Sequence, residues 1–331
     1  MKKSTPTFVS LLLALALLAG ACGGEADVLT VYSGRSEDLV GPVIERFTEE
    51  TGIEVDVRYG DSAELATTIT VEGADTPADV FFAQDPASLG LVAEEGLFEP
   101  LPDELAERVP ERFRDDEDRW VGTSARVRVV IVNPELVGDD ELPASIWDLT
   151  DPRWEGRLGI APTNGSFLAF VSAMILDEGE ERTLEWLEAI AANDPTDYPG
   201  NSPMVEATDL GQQDAGLTNH YYLLRREAEL GSVTAENHFL TAGDAGSLVM
   251  TAGAGILSDS EDAERFVEFL LDEETQTYFA TETFEFPMVE GVEPAPGLPA
   301  LEDIPTPDID LSDLSGALER AVELVAEAGL V

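Results

Sequence analysis

Short apolar runs alternate with helical periodicities over residues 28–96, and that alternation constrains the fold more than any other feature of the chain. Val28-Leu-Thr-Val-Tyr32 reads as a buried strand. Leu39, Val40, Val43, Ile44 and Phe47 then recur at helical spacing, and Gly52 closes the helix. Ile53–Val57 alternates as a second strand, and Asp61-Ser62 opens a helix that ends near Gly73. Ala78–Phe82 is a third strand, and Pro86 starts a helix that stops at Gly96. A β-α-β-α-β order implies a parallel sheet with right-handed crossovers.

The pattern restarts beyond a strong strand at Arg126–Val132. Leu158–Ile160 is a strand, and Thr163-Asn164-Gly165-Ser166 leads into a helix through Leu176. Helices follow around Glu181–Ala192 and Pro203–Leu210, then a short strand at Ala215–Leu217 and a helix over Tyr221–Leu230. Leu248–Ala252 is a strand, Glu261–Leu271 and Glu274–Ala280 are helices, Pro287–Pro307 winds over the surface, and Leu314–Ala328 closes the chain as an amphipathic helix. The expected fold class is therefore α/β, with two lobes and no flexible linker between them. The strands near 126–132 and 248–252 are where the chain crosses. That divides it into one lobe of 28–127 plus about 250–290 and another of 128–249 plus about 291–331. A ligand belongs in the cleft, at the carboxyl ends of strands and the amino ends of helices.

Charge narrows the function. The 331 residues hold 68 Asp+Glu against 18 Lys+Arg, a net charge of -50, while 44% hydrophobic content supports ordinary cores. A field of that sign repels phosphate backbones, so no nucleic-acid partner is expected. One cysteine and two histidines leave no disulfide framework and too few ligands for most zinc or copper sites. Runs such as Asp115-Asp116-Glu117-Asp118 read as a solvated face, and the four tryptophans, being scattered, read as core.

Residues 1–21 read as an export signal: Lys2 and Lys3, an apolar run from Phe8 to Leu18, then Ala19, Gly20 and Ala21 before Cys22. The arrangement is similar to a bacterial lipoprotein signal, with Cys22 as the lipidated new amino terminus and 22–27 as a polar tether, although Leu18 stands four places before the cysteine rather than three. The expected location is the outer face of the cytoplasmic membrane, held by lipid. No later run is long and apolar enough to span a bilayer. Removing Lys2 and Lys3 from the 18 cations leaves 16, all arginine, and takes the net charge from -50 to -52. Adaptation to a saline exterior explains both facts; a genome poor in Lys codons explains only the missing lysine.

Five strings carry a resemblance: Leu29-Thr-Val-Tyr-Ser-Gly-Arg35, Pro77-Ala-Asp-Val-Phe-Phe82, Arg126-Val-Arg-Val-Val130, Gly159-Ile-Ala-Pro-Thr-Asn-Gly-Ser-Phe167 and Asn219-His-Tyr-Tyr222. In order and spacing the chain resembles the extracytoplasmic ferric-ion-binding proteins of bacterial iron-uptake ABC transporters. The resemblance implies a type II periplasmic-binding-protein clamp with a cleft between its lobes. It further implies a non-catalytic, monomeric carrier that passes Fe³⁺, with a synergistic anion such as bicarbonate, phosphate or citrate, to a permease driven by a separate ATPase subunit. Tyr221 and Tyr222 become the expected metal ligands: Fe³⁺ prefers anionic oxygen, and two phenolates neutralise two of its charges. Adjacent aromatics at a helix start also suit plain core packing.

The remaining sites are less uniform. Where many relatives have a metal-binding His and Glu, this chain has Ser36 and Gln84, which leaves these two as ligands or as neighbours of the ligands. Thr163, Asn164, Gly165 and Ser166 match the anion-holding turn, and Asn201 and Asn219 match further anion contacts; each also suits an ordinary cap or turn. Arg126 and Arg128 share a strand face and serve either the anion or structural ion pairs, whereas Arg35 reads as a solvated surface residue. Two other functions stay open: the same clamp for another solute (a phosphorylated compound, polyamine, thiamine-like cation or oxyanion), and an exported hydrolase. Against the hydrolase, no nucleophile elbow or His-Glu-x-x-His helix occurs.

The charge surplus makes a prediction of its own. Melting temperature should climb as NaCl goes from about 0.1 M to about 1 M, where the Debye length shrinks from about 10 Å to about 3 Å. A flat or falling melting curve in that titration would remove the saline reading.

Overall fold

The computed structural model describes residues 28–331; the export signal, Cys22 and the tether lie outside the described residues. The first lobe begins with β1 (Leu29–Ser33), α1 (Glu37–Thr51), β2 (Val55–Tyr59), α2 (Ser62–Glu72), β3 (Val80–Ala83), α3 (Pro86–Glu94) and the single turn α4 (Asp103–Ala106). The long strand β4 (Trp120–Val132) follows. Then come β5 (Leu158–Ile160), α5 (Gly165–Glu178), α6 (Glu180–Ala192), β6 (Thr196–Asp197), α7 (Asn201–Asp209), β7 (Ala215–Asn219), α8 (Tyr221–Leu230) and β8 (Glu236–His238). The chain returns through β9 (Val249–Ile256), α9 (Glu261–Leu270) and α10 (Glu273–Tyr278), and ends in α11 (Leu314–Glu327), which packs on α5 and α6 and touches α3. No helix of the described residues is long and apolar enough to cross a membrane.

Local chemistry explains the elements that frame the cleft. On α1, Val40, Val43, Ile44 and Phe47 are buried on one stripe, and Gly52 stops the helix in the left-handed conformation at φ 74°. Asp85 caps α3 by accepting from the Ser88 N–H at 2.8 Å, with Pro86 in the first turn. Asn164 caps α5, its side chain accepting from the Ser166 N–H at 3.0 Å.

The sheet runs β2-β1-β3-β9-β4-β7-β5-β6, with β8 added beside β4. β1 pairs in parallel with β2 and β3, and β7 with β5, as crossover connections require. β4 is the shared element. Its first part, Trp120–Val127, pairs antiparallel with β9; from Arg128 to Val132 it pairs with β7. One strand therefore belongs to both half-sheets and changes partner between Val127 and Arg128. Trp120, Trp154 and Trp186 are core residues, while Trp147 is half-buried, with Arg182 stacked 4.0 Å above its ring and Nε1 donating to Glu178 at 2.8 Å.

Three sequence expectations change. β4 starts six residues before Arg126, because the small and polar stretch Val121–Ala125 carries no apolar run and is interrupted by a bulge between Gly122 and Ser124. Asp115 is not on a solvated face: it is buried and grips the Arg119 guanidinium through both oxygens, at 2.7 and 2.9 Å. Arg35 is likewise buried, not solvated, and its Nη1 and Nη2 donate to Glu285 Oε1 and Oε2 at 2.9 and 2.5 Å. Burial alone would raise the Glu285 carboxyl, but the Arg35 charge and hydrogen bonds, with Arg126 and Thr283 adding, hold it at about 2.

The sign of the linkage follows. A carboxyl depressed in the folded state contributes stability that is complete above its unfolded value of 4.5 and vanishes as pH falls through about 2. Glu285→Gln should therefore cost about 3–5 kcal/mol near neutrality, because it strands Arg35 without a partner. Denaturant melts of the wild type and the variant should converge as pH drops from 4.5 toward 2; a constant gap would show that the pair is not what sets it.

Candidate functional site

Register on β4 assembles the site. Arg128 is the residue paired with Asn219 at the end of β7, and the Val127 carbonyl accepts the His220 N–H at 3.0 Å. The next residues, Tyr221 and Tyr222, begin α8, and their rings stack at 4.3 Å with an interplanar angle of 28°. Tyr221 is 9% exposed, Tyr222 is half-buried, and Arg225 lies 4.6 Å over the Tyr221 ring. Burial pushes the Tyr221 phenol well above its usual range, with the Tyr222 hydroxyl and Glu285 adding and Arg126 opposing. The Tyr221 phenol is therefore protonated at neutral pH.

His220 is a structural pin. Its Nδ1 accepts from the Val127 N–H at 3.1 Å and its Nε2 donates to the Phe284 carbonyl at 2.8 Å, which fixes the tautomer. Burial lowers its pKa to about 4, so the ring is neutral. Both nitrogens are used, and neither is left for a metal.

The two arginines of β4 are the unusual feature. Arg126 is 5% exposed and Arg128 1%. Among the described residues neither has a carboxylate within 4 Å, so the ion-pair alternative is not what the structure contains. Arg126 Nη1 donates to the Gln84 carbonyl at 2.8 Å. Arg128 Nη1 donates to Ser166 Oγ at 3.1 Å and reaches Asn219 Oδ1 at 3.5 Å, and Nη2 donates to the Leu217 carbonyl at 3.2 Å. Its Nε has no partner. Burial drives the Arg128 pKa down to about 10, with the Tyr222 and Tyr221 phenols pulling the other way. Arg128 is thus a buried guanidinium with an idle N–H and, among the described residues, no carboxylate within 4 Å.

The turn before α5 joins this cluster. Ser166 Oγ donates to Asn164 Oδ1 at 2.6 Å, and Asn201 Nδ2, at the start of α7, donates to Ser166 Oγ at 3.1 Å and reaches Asn164 Oδ1 at 3.4 Å. Asn201 Oδ1 is buried without a partner, and a Cβ placed on Gly165 would meet nothing within 4 Å. Asn164, Gly165, Ser166, Asn201, Asn219 and Arg128 thus converge on a helix amino terminus with open space in front of it. Thr163 is exposed and makes no side-chain contact with the cluster. Ser36 is also exposed, at the amino-terminal cap position of α1, and Gln84 enters through its backbone: its carbonyl takes Arg126 and its N–H donates to Ser62 Oγ at 2.9 Å. Glu285 and Phe284 were not identified from the sequence. Local pattern gave no signal for them: alternation in Phe284-Glu285-Phe286 would turn the acid away from the two phenylalanines, and it is the left-handed Phe284, at φ 59°, that breaks the alternation. Among the described residues, no three of His, Cys, Asp and Glu form a metal-binding group, which leaves the phenols as the only strong hard-metal donors at this site.

A hinged α/β clamp whose inter-lobe site carries phenols, unpaired guanidiniums and a helix amino terminus defines a solute-binding protein. Residues 75–315 match the family model described as bacterial extracellular solute-binding protein, and the chain belongs to that family, which is a transport class and not an enzyme class. The chain is 34% identical, over 98% of its length and 97% of the relative's, to the Fe(3+)-binding periplasmic protein of Serratia marcescens. Iron-bound HitA from Pseudomonas aeruginosa superposes with a TM-score of 0.82 at 33% identity, covering 91% of this chain and 99% of that one. The Trichodesmium protein in complex with iron and citrate ligands gives 0.79 at 26% identity, with the same 91% and 99% coverage.

An anion should bind the empty protein without metal. At about 100 times its Kd, phosphate or citrate adds about 2.7 kcal/mol to stability, which a thermal melt reads as a shift of several degrees over chloride at matched ionic strength. Arg128→Gln should erase most of that shift, and equal melting in all three salts would argue against the cradle.

Proposed function

We infer that this protein captures ferric ion together with an anion outside the cytoplasmic membrane and delivers it to an ABC permease, whose ATPase is a separate chain. The observation that carries this reading is the stacked pair Tyr221–Tyr222 set beside two buried arginines that no carboxylate neutralises. Fe³⁺ displaces the phenol protons and takes both oxygens as phenolates. Two phenolates leave one positive charge on the metal, and Arg126 and Arg128 add two more. External anionic oxygens at the α5 turn balance that charge and complete the coordination that Ser36 and Gln84 do not supply.

In this reading the lobes are 28–127 with about 250–290 and 128–249 with about 291–331. They close on the cargo about β4 and β9, and the closed form is what the permease recognises. Cys22 carries the lipid, and the protein works as a monomer tethered to the cell envelope. The identity of the relatives as ferric-binding proteins supports iron over the other solutes considered above.

Adding ferric ion and bicarbonate, phosphate or citrate to the empty protein should produce a visible tyrosinate-to-iron charge-transfer band in a one-to-one titration. Tyr221→Phe combined with Tyr222→Phe should abolish the band while the thermal response to the anion persists. A wild type that stays colourless, with an unmoved melting temperature, would rule iron out.

A further inference from the structure

Glu285 is the carboxylate buried against the site, and two buried arginines feel its charge. Arg35 holds it bidentately, at 2.9 and 2.5 Å, while Thr283 Oγ1 donates to Oε2 at 3.0 Å. Arg126 acts on the same charge from beyond 4 Å. Among the described residues, Arg126 has no hydrogen-bond partner apart from the Gln84 carbonyl, and its Nε and Nη2 remain accessible.

The backbone around Glu285 is fixed from three sides. Its own N–H donates to the Phe279 carbonyl at 3.0 Å. Phe284, left-handed at φ 59°, offers its carbonyl to His220. Phe286 exchanges two bonds with Ala125 of β4, at 2.8 and 2.9 Å. Only the side-chain torsions of Glu285 are therefore free to choose between the two guanidiniums.

We propose that Arg35 is a specificity residue that keeps Glu285 off Arg126, so that Arg126 stays available to the anionic oxygens of the cargo. The proposal rests on the ferric reading of the site. A buried carboxylate does not stay charged and unpaired, because the desolvation cost is too large: it either takes up a proton or pairs with the next cation in reach. Without Arg35, the buried cation left to Glu285 is Arg126. That new pair would cancel the charge that favours phenolate and anion, and Glu285 would compete with the cargo for the same N–H groups. Arg35 prevents this without facing the cargo itself, because its planar fork saturates both Glu285 oxygens.

The test compares Arg35→Gln, Glu285→Gln and the double variant, each titrated with ferric nitrilotriacetate in bicarbonate and followed by the charge-transfer band. Arg35→Gln should weaken binding by about tenfold or more, and the double variant should recover to within about threefold of wild type. Glu285→Gln alone should also bind within about threefold, despite its lower melting temperature. If the pair only welds the turn after β1 to the crossing point, removing the second partner rescues nothing; a double variant as weak as Arg35→Gln would overturn the proposal, as would an Arg35→Gln protein that binds normally. Should Arg35→Gln fail to fold, the Glu285→Gln titration still decides, because a tenfold loss there contradicts the proposal. A crystal structure of Arg35→Gln gives an iron-independent answer: the Glu285 carboxylate should lie within 4 Å of Arg126, and a carboxylate still in place would refute the idea. A wild type that fails to colour counts against the ferric reading alone.

Discussion

Among the described residues, two buried guanidiniums have no carboxylate within 4 Å in a chain with 68 acids, and the rest of the site follows from that constraint. Carboxylates are so abundant here that an arginine on the surface finds one almost by default, as Arg46, Arg157 and Arg320 do, each with more than one. Arg126 and Arg128 have no carboxylate within 4 Å among the described residues, and Glu285, the acid beside Arg126, is held by Arg35. Arg126 is tied to a backbone carbonyl and Arg128 to hydroxyl, amide and carbonyl oxygens, all neutral. Neutral acceptors hold a cation in place without cancelling it, and the uncancelled charge is what a closing clamp can use.

In the proposed reading, the same strand carries both the turning point of the lobes and the two arginines. β4 changes partner between Val127 and Arg128, so the two arginines straddle the point about which the half-sheets can turn. Because side chains alternate along a strand, both face the same way while Val127 between them goes into the core. Arg126 reaches the first lobe at Gln84 and Arg128 the second at Ser166. Any rotation of one lobe against the other therefore changes the distance between the groups that the two arginines serve. His220 ties this to the tyrosines: it is hydrogen-bonded to β4 at Val127 and to the returning chain at Phe284, and Tyr221 is the next residue. The phenols are thus referenced to the hinge and not to a free loop.

What the sequence disclosed depended on whether the signal was local. Helix periodicity, the capping turn at Asn164 and the tyrosine pair are written in consecutive or near-consecutive residues, and each is found where expected. The hidden features are made by distant partners. β6 and β8 are two and three residues long and exist only because a longer neighbour offers them hydrogen bonds. The first half of β4, rich in Gly, Thr, Ser and Ala, is a strand by virtue of β9 and not of its own propensity. Arg35 and Glu285 stand 250 positions apart, and an arginine in a Ser-Gly-Arg-Ser turn gives no sign that its partner lies across the molecule. Asp115 shows the same limit on a smaller scale: inside a run of four acids, only the fold decides which one is turned inward to meet Arg119.

The strongly acidic exterior and the positive interior are compatible because they act over different ranges. At low salt the surface field extends about 10 Å and favours cations while opposing small free anions. Inside the cleft the sign reverses, and bare Fe³⁺ meeting two arginines would be repelled unless anionic oxygens arrive with it or before it. At about 1 M salt the outer field decays within about 3 Å and ceases to discriminate, whereas the buried groups are hardly screened. In the proposed reading, selection then falls on the residues with low dielectric around them: the phenols, Arg126, Arg128 and the carboxylate that Arg35 holds. On that reading, a chain of this charge can surrender long-range steering to salt and still select its cargo, because the charges that choose are buried and only weakly screened by bulk salt.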